Sequence, residues 1–341
     1  MHLTEEISTG VKCTNKAAAA VLLAGALIIG TAGCSSESTE ITSAYDIYET
    51  SAEYGLTNEE VAGMLEPFAG DLCVIGFDDT ETTEDLNSEV AEAAAVFNTA
   101  DEEVTYAQNI HEKIYPASTT KILTAYLAIK YGDLDQEVTV SEEALADLDS
   151  GSSLCGLQAG DTLTLKQLLY GLLLCSGNDA AEVIAEAVSG DRETFIELMN
   201  TEADSLGATD SHFVNPHGLP DDDHYTTVYD LYLLFNAAIS EETFTDIIST
   251  DSYEAVYEDS SGSEVVQTWS NTNRYLTGEE ETPDGITVIG GKTGTTNAAG
   301  YCLVLLSTNQ DDDPLISIVM KADGKSDMYL LMSELLAGFS D

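Results

Sequence analysis

Residues 115–121 read Tyr115-Pro116-Ala117-Ser118-Thr119-Thr120-Lys121, and the apolar positions that follow keep helical spacing to Tyr131, with Gly132 as the stop. This is the one Ser-x-x-Lys in the chain. A spacing of three on a helix puts Lys121 one turn beyond Ser118 on the same face, within reach of its hydroxyl. A neutral lysine there can take the proton of the serine. The helix start adds backbone N–H groups and a positive dipole end where negative charge will develop. Taken alone, the tetrad also fits a capping serine followed by a surface lysine.

Working outward, the pattern predicts a strand pair over 93–98 and 104–108, joined by a turn over Ala100-Asp101-Glu102. The stretch from about 119 to 250 is mostly helical in pattern. One helix covers 119–131 and a second covers 165–175; a third opens at Asp179, with Glu182 three residues on, and stops near Gly190. The second is apolar on nearly every face and must be buried. Thr57-Asn58-Glu59-Glu60 has capping-box spacing and predicts a short helix ending near Pro67. Strands return over 286–292, 301–308 and 315–321, with a turn at Asp311-Asp312-Asp313-Pro314 and a last helix over 328–336. Strands at both ends around a helical middle imply an α/β protein of the α+β kind: one antiparallel sheet built from both chain ends, covered by helices, with an inserted helical lobe.

Two further motifs follow Ser118. Ser176-Gly177-Asn178 lies between two predicted helices, where a hydroxyl and an amide on a tight loop can relay a proton and hold a substrate amide. Lys292-Thr293-Gly294, followed by Thr295, lies after a strand. Its lysine would attract a substrate carboxylate and depress the pKa of Lys121 by like-charge repulsion, while Gly294 admits a substrate backbone. Each motif is weak by itself; Ser-x-Asn recurs at Ser307-Thr308-Asn309, and a glycine-rich turn ending a strand is the plain reading of the last. Their order, on a helix start, an inter-helix loop and a strand end, is specific.

With those motifs, 168–181, Asn215-Pro216-His217-Gly218-Leu219 and Ala299-Gly300-Tyr301-Cys302-Leu303-Val304, the chain from about Ala93 onward resembles the serine D-alanyl-D-alanine carboxypeptidases. These are low-molecular-mass penicillin-binding proteins of peptidase family S11. The resemblance implies the serine β-lactamase and DD-peptidase fold and an extracytoplasmic enzyme that removes the terminal D-Ala from peptidoglycan stem peptides, with β-lactams as inhibitors and no cofactor. By the same likeness Ser118 is the nucleophile, Lys121 its base and Ser176 the proton relay. Asn178, Lys292, Thr293, Gly294 and Thr295 would contact substrate, and the N–H groups of Ser118 and Thr295 would form an oxyanion hole. Two departures stand out: the basic residue that grips the terminal carboxylate in many members has only Lys321 and Lys325 as candidates, and no β-rich C-terminal domain is expected after the last helix.

The rest of the sequence bounds the setting. Eleven basic against 62 acidic residues give a net charge of −51 over 341 residues, which excludes nucleic acid and other polyanions as partners of the surface as a whole. Lys12 and Lys16 precede an apolar run over 17–29 that ends in Thr31-Ala32-Gly33-Cys34. That order predicts a signal segment over 1–34 with Cys34 as a lipid attachment site, although a large aliphatic residue is usual where Thr31 stands. Residues 35–90 then form an acidic tether and N-terminal extension before a catalytic domain over 91–341. Cys73, Cys155, Cys175 and Cys302 contain no Cys-x-x-Cys; Cys175 and Cys302 lie in apolar runs and read as small buried hydrophobes.

Rival readings use the same residues. A class A β-lactamase needs a Glu-x-x-x-Asn segment, and none occurs. A D,D-endopeptidase would share the site, and a non-catalytic penicillin-sensing or wall-binding module would retain it without turnover. His212, His217 and His224 beside Asp221-Asp222-Asp223 match no zinc spacing, so no metal is expected.

Overall fold

The computed structural model describes residues 72–74, 79–80, 86–146, 148 and 151–340, all within the unit Pro67–Asp341. The predicted signal segment with Cys34, and the helix expected from Thr57 to near Pro67, lie outside the described residues. Among the described residues no helix is long and apolar enough to cross a membrane.

Strands β1 (Ala91–Asn98) and β2 (Glu103–Gln108) form the expected hairpin, with Glu102 at φ 58 in its turn. Near the other end β7 (Thr287–Thr296), β8 (Gly300–Thr308) and β9 (Pro314–Ala322) complete an antiparallel sheet of order β2-β1-β9-β8-β7. The seam between the chain ends is β1 on β9, with Val96 opposite Ser317 and Phe97 opposite Ile316. Period-two alternation divides the side chains between the two faces. Ala94, Val96, Leu303, Leu305 and Val319 face Met328, Met332 and Leu335 of the terminal helix, while Ala95, Phe97, Val304, Ile316 and Ile318 face the helical lobe.

The lobe contains α1 (Lys121–Tyr131), α2 (Leu165–Leu173), α3 (Asn178–Ser189), α4 (Arg192–Ser205), α5 (Val228–Ile239) and α6 (Glu242–Ile248); α7 (Arg274–Thr277) is a single turn, and α8 (Lys325–Gly338) is the terminal helix. Phe97 stacks on Tyr232 of α5 at 4.1 Å between ring centroids, tying lobe to sheet. The α2 helix opens with a capping box, Thr164 and Gln167 satisfying each other's backbone N–H groups, a device worth about 1 kcal/mol. It ends two residues before the predicted Cys175, and Ser176 beyond it adopts left-handed backbone at φ 63.

A second sheet, which the helical pattern did not announce, runs β3-β4-β5-β6 through Glu137–Thr139, Thr162–Thr164, Ser252–Glu258 and Glu264–Ser270. Its first two strands are three residues each, too short to carry a period. Its hairpin turns Ala255, Tyr257 and Trp269 inward, beside the loop that precedes α2.

Candidate active site

Ser118 lies in the 3-10 turn Ala117–Thr120 that leads into α1. Ala117 is held in left-handed backbone, φ 49, and the Asn215–Leu219 turn packs directly on it. Gly218 has φ 95, and a Cβ there would stand 1.7 Å from the Ala117 carbonyl oxygen, so only glycine permits this approach. Asn215 fixes the turn by accepting from Gly218 N at 2.7 Å.

Lys121, the first residue of α1, is fully buried. Its Nζ lies 3.1 Å from Ser118 Oγ, 2.7 Å from Asn178 Oδ1 and 2.7 Å from the carbonyl oxygen of His217. Burial, and after it the charge of Lys292, holds this amine well below the usual lysine range. A neutral amine has two N–H donors and one lone pair. The two carbonyl-type oxygens can only accept, so they take both N–H groups and leave the lone pair for the third neighbour, the hydroxyl of Ser118. The His217 ring is braced in turn by Glu182, Nε2 to Oε1 3.0 Å, and burial lowers its pKa.

Lys292 reaches in from β7, donating to Ser176 Oγ at 3.0 Å and to the Thr293 carbonyl at 2.9 Å. Burial pushes its amine down to about 7. The Lys292-Thr293-Gly294 stretch lies inside β7 rather than after it, since that strand continues to Thr296. A Cβ on Gly294 would stand 3.1 Å from Pro116 O, Ser118 N and Thr119 N, so its bare backbone lets the strand lie against the serine turn. Thr293 Oγ1 meets Thr272 Oγ1 at 2.6 Å. Because β7 ends the sheet order, its outer edge can accept an extended peptide as an added strand.

The predicted residues Ser118, Lys121, Ser176, Asn178, Lys292, Thr293, Gly294 and Thr295 therefore converge on one cleft. Ser118 and Thr295 line two hollows of about 530 and 380 Å³; the first extends toward His217 and Leu219, the second toward Tyr301, Lys325 and Tyr329. Of the two cations considered for a terminal carboxylate, Lys325 lines the second hollow, whereas Lys321 pairs with Glu92. His224, grouped by sequence with His212 and His217, instead meets Thr120 Oγ1 at 2.9 Å behind the serine turn.

Asp179 was read from sequence as a helix cap, and its actual role is different. The α3 helix starts one residue earlier with no side-chain cap, and the buried carboxylate of Asp179 accepts from Cys155 N at 2.8 Å, Gly156 N at 2.9 Å and Leu157 N at 3.1 Å. This clamp, with Asn178 N donating to Ser153 O at 2.8 Å, fixes the 151–157 loop along the cleft. It also brings Cys155 Sγ to 3.3 Å from Cys175 Sγ, so Cys175 is only half-buried and faces a second thiol, while Cys302 is buried as expected. A Cβ on Gly177 would stand 2.0 Å from Cys155 Sγ, which explains glycine in the middle of Ser176-Gly177-Asn178.

Residues 79–324 match the peptidase S11 family, described as D-alanyl-D-alanine carboxypeptidase. The D-alanyl-D-alanine carboxypeptidase DacF of Bacillus subtilis is 31% identical over 264 residues, 76% of this chain and 64% of that protein. DacC of Escherichia coli is 35% identical over 253 residues, covering 71% of this chain and 59% of that protein. The chain thus spans about six tenths of the length of these curated relatives. The crystal structure of the Streptomyces K15 DD-transpeptidase superimposes with a TM-score of 0.67 at 29% identity, covering 75% of this chain and 97% of that one. Since the matched family spans residues 79–324 and the same fold recurs at 29% identity, the chain belongs to the D-alanyl-D-alanine carboxypeptidase family, peptidase S11.

Proposed function

We propose that this protein is a serine D-alanyl-D-alanine carboxypeptidase that removes the terminal D-Ala from peptidoglycan stem pentapeptides through an acyl-enzyme on Ser118, and that β-lactams acylate the same serine. The observation that carries this reading is the buried Lys121 amine, whose two acceptor-only neighbours leave its lone pair for the Ser118 hydroxyl 3.1 Å away.

In the proposed cycle the D-Ala-D-Ala end lies along the open edge of β7, held by Asn178, Thr293 and the backbone at Gly294. Lys121 takes the Ser118 proton as Oγ attacks the penultimate carbonyl, and the N–H groups of Ser118 and Thr295 receive the developing oxyanion. Ser176, bonded to Lys292, gives its hydroxyl proton to the departing D-alanine nitrogen and takes in its place the proton that Lys121 holds. Water then hydrolyses the ester by the reverse proton route. Lys292 and Lys325 supply positive charge for the terminal carboxylate, and these steps need no cofactor. The same reading makes 91–341 the catalytic domain, 35–90 a tether and 1–34 a lipoprotein-type signal with Cys34 lipidated. The enzyme would then work at the outer face of a bacterial cytoplasmic membrane.

Intact mass of the full chain at intervals after mixing with benzylpenicillin tests the proposal, with Ser118→Ala as control. A long-lived adduct absent from the control supports it. Rapid drug hydrolysis would make the protein a β-lactamase, and the absence of any adduct would leave a non-catalytic module.

A further inference from the structure

The Cys155 and Cys175 thiols lie 3.3 Å apart, and the site is built around them. Cys155 Sγ rests on two glycines; Cβ atoms on Gly171 and Gly177 would stand 2.6 and 2.0 Å from it. Its main chain is held on both sides, N to Asp179 and O by Trp269 Nε1 at 3.1 Å. The other described cysteines, Cys73 and Cys302, have no such partner; their thiols meet the carbonyls of Asn98 and Ala299.

We propose that Cys155 and Cys175 are a reversible disulfide site that couples the redox state of the surroundings to the position of Ser176. The coupling rests on the acyl-transfer reading given above. A disulfide would draw the sulfurs from 3.3 Å to about 2 Å. With Cys155 clamped, the movement falls on Cys175 and on Ser176 beside it, which already has left-handed backbone and whose Oγ accepts from Lys292. Oxidation therefore moves the proposed proton relay.

The oxidant is a small-molecule disulfide. Cys175 is the more exposed thiol, and its hydrogen bond with Cys155 lowers its pKa, while burial raises that of Cys155. Cys175 sulfur attacks the incoming disulfide, breaking its S–S bond and releasing one thiol. Cys155 sulfur then attacks Cys175 Sγ and releases the second. Two electrons pass from the cysteine pair to the reagent, and the two cysteine protons leave on the released thiols.

The test treats the full chain with oxidised glutathione, maps peptides without reduction, and follows acylation by a fluorescent penicillin. A 155–175 cross-link, with acylation slowed by about tenfold or more and restored by dithiothreitol, is expected. Cys175→Ala, which lacks the attacking thiol, should acylate at one rate in either medium. Cys155 and Cys175 both still alkylatable after oxidation, or a cross-linked form that acylates as fast as the untreated chain, would overturn the proposal. If the reduced chain takes no adduct, the proposed function fails separately. The redox proposal is then decided by the map and by crystals of the oxidised chain, where an intact 3.0 Å Lys292–Ser176 bond would overturn it.

Discussion

Lys121 Nζ faces Ser118 Oγ across 3.1 Å, and the remaining neighbours of that amine, Asn178 Oδ1 and the His217 carbonyl, can only accept hydrogen bonds. Lys121→Ala should slow penicillin acylation by about 10³-fold or more. Intact mass checks the rate and a thermal melt checks folding. A folded variant that acylates normally would remove Lys121 as the base.

The Lys292 amine, lowered to about 7, is charged in the free chain only toward the acid side of neutrality. Attraction for a substrate carboxylate is lost as pH rises through that value, so kcat/KM should fall above about pH 7. Lys292→Arg keeps its charge at any pH used and should flatten the alkaline fall, though at a lower overall rate. A wild-type profile that rises across neutrality would contradict this.

Filling the space beside Gly177 should be costly in a traceable way. Gly177→Ala places a Cβ 2.0 Å from Cys155 Sγ and should destabilise the chain by about 1–3 kcal/mol. Adding Cys155→Ala should recover part of the loss, and a urea double-mutant cycle measures the coupling. Strict additivity would place the strain elsewhere.

Asp179→Asn replaces one of the two acceptor oxygens of the loop clamp by a donor. Leaving a buried N–H unpaired should cost about 1–3 kcal/mol. Because Asn178 N is bonded to Ser153 O, acylation should slow as well. Wild-type stability together with wild-type acylation would show that the clamp is dispensable.

Salt should act through the net charge of −51. Screening reduces repulsion of an anionic substrate, so kcat/KM should rise between low and moderate ionic strength. A fall would mean that local attraction by Lys292 dominates.

The cleft residues were legible in the sequence because the chemistry fixes residue types at short spacings. Ser118 with Lys121 on one helical turn, and Ser176 with Asn178 on one loop, need no knowledge of distant contacts. The five-stranded sheet was legible because β1, β8 and β9 are apolar runs of eight or nine residues bounded by turn residues. Asp179 was not, because an acidic residue near a helix start has an ordinary local use, and its real partners lie 22 to 24 residues upstream. Nor was the place of Lys292-Thr293-Gly294 inside β7. The glycines that read as a turn are what allow close packing against the serine turn, and that neighbour is invisible to a local pattern.

The seam between β1 and β9 sets an order in time. Thr99 and Pro314, hydrogen-bonded beside that seam, are 215 residues apart, and pairing over such a separation forms late. As the polypeptide is synthesised, the serine and the first lysine emerge long before β7, which carries the second lysine, or β9, which locks the sheet. The proposed nucleophile is made first and armed last. Products of premature termination would carry Ser118 without Thr295, the proposed oxyanion donor, and by that reading would be chemically silent.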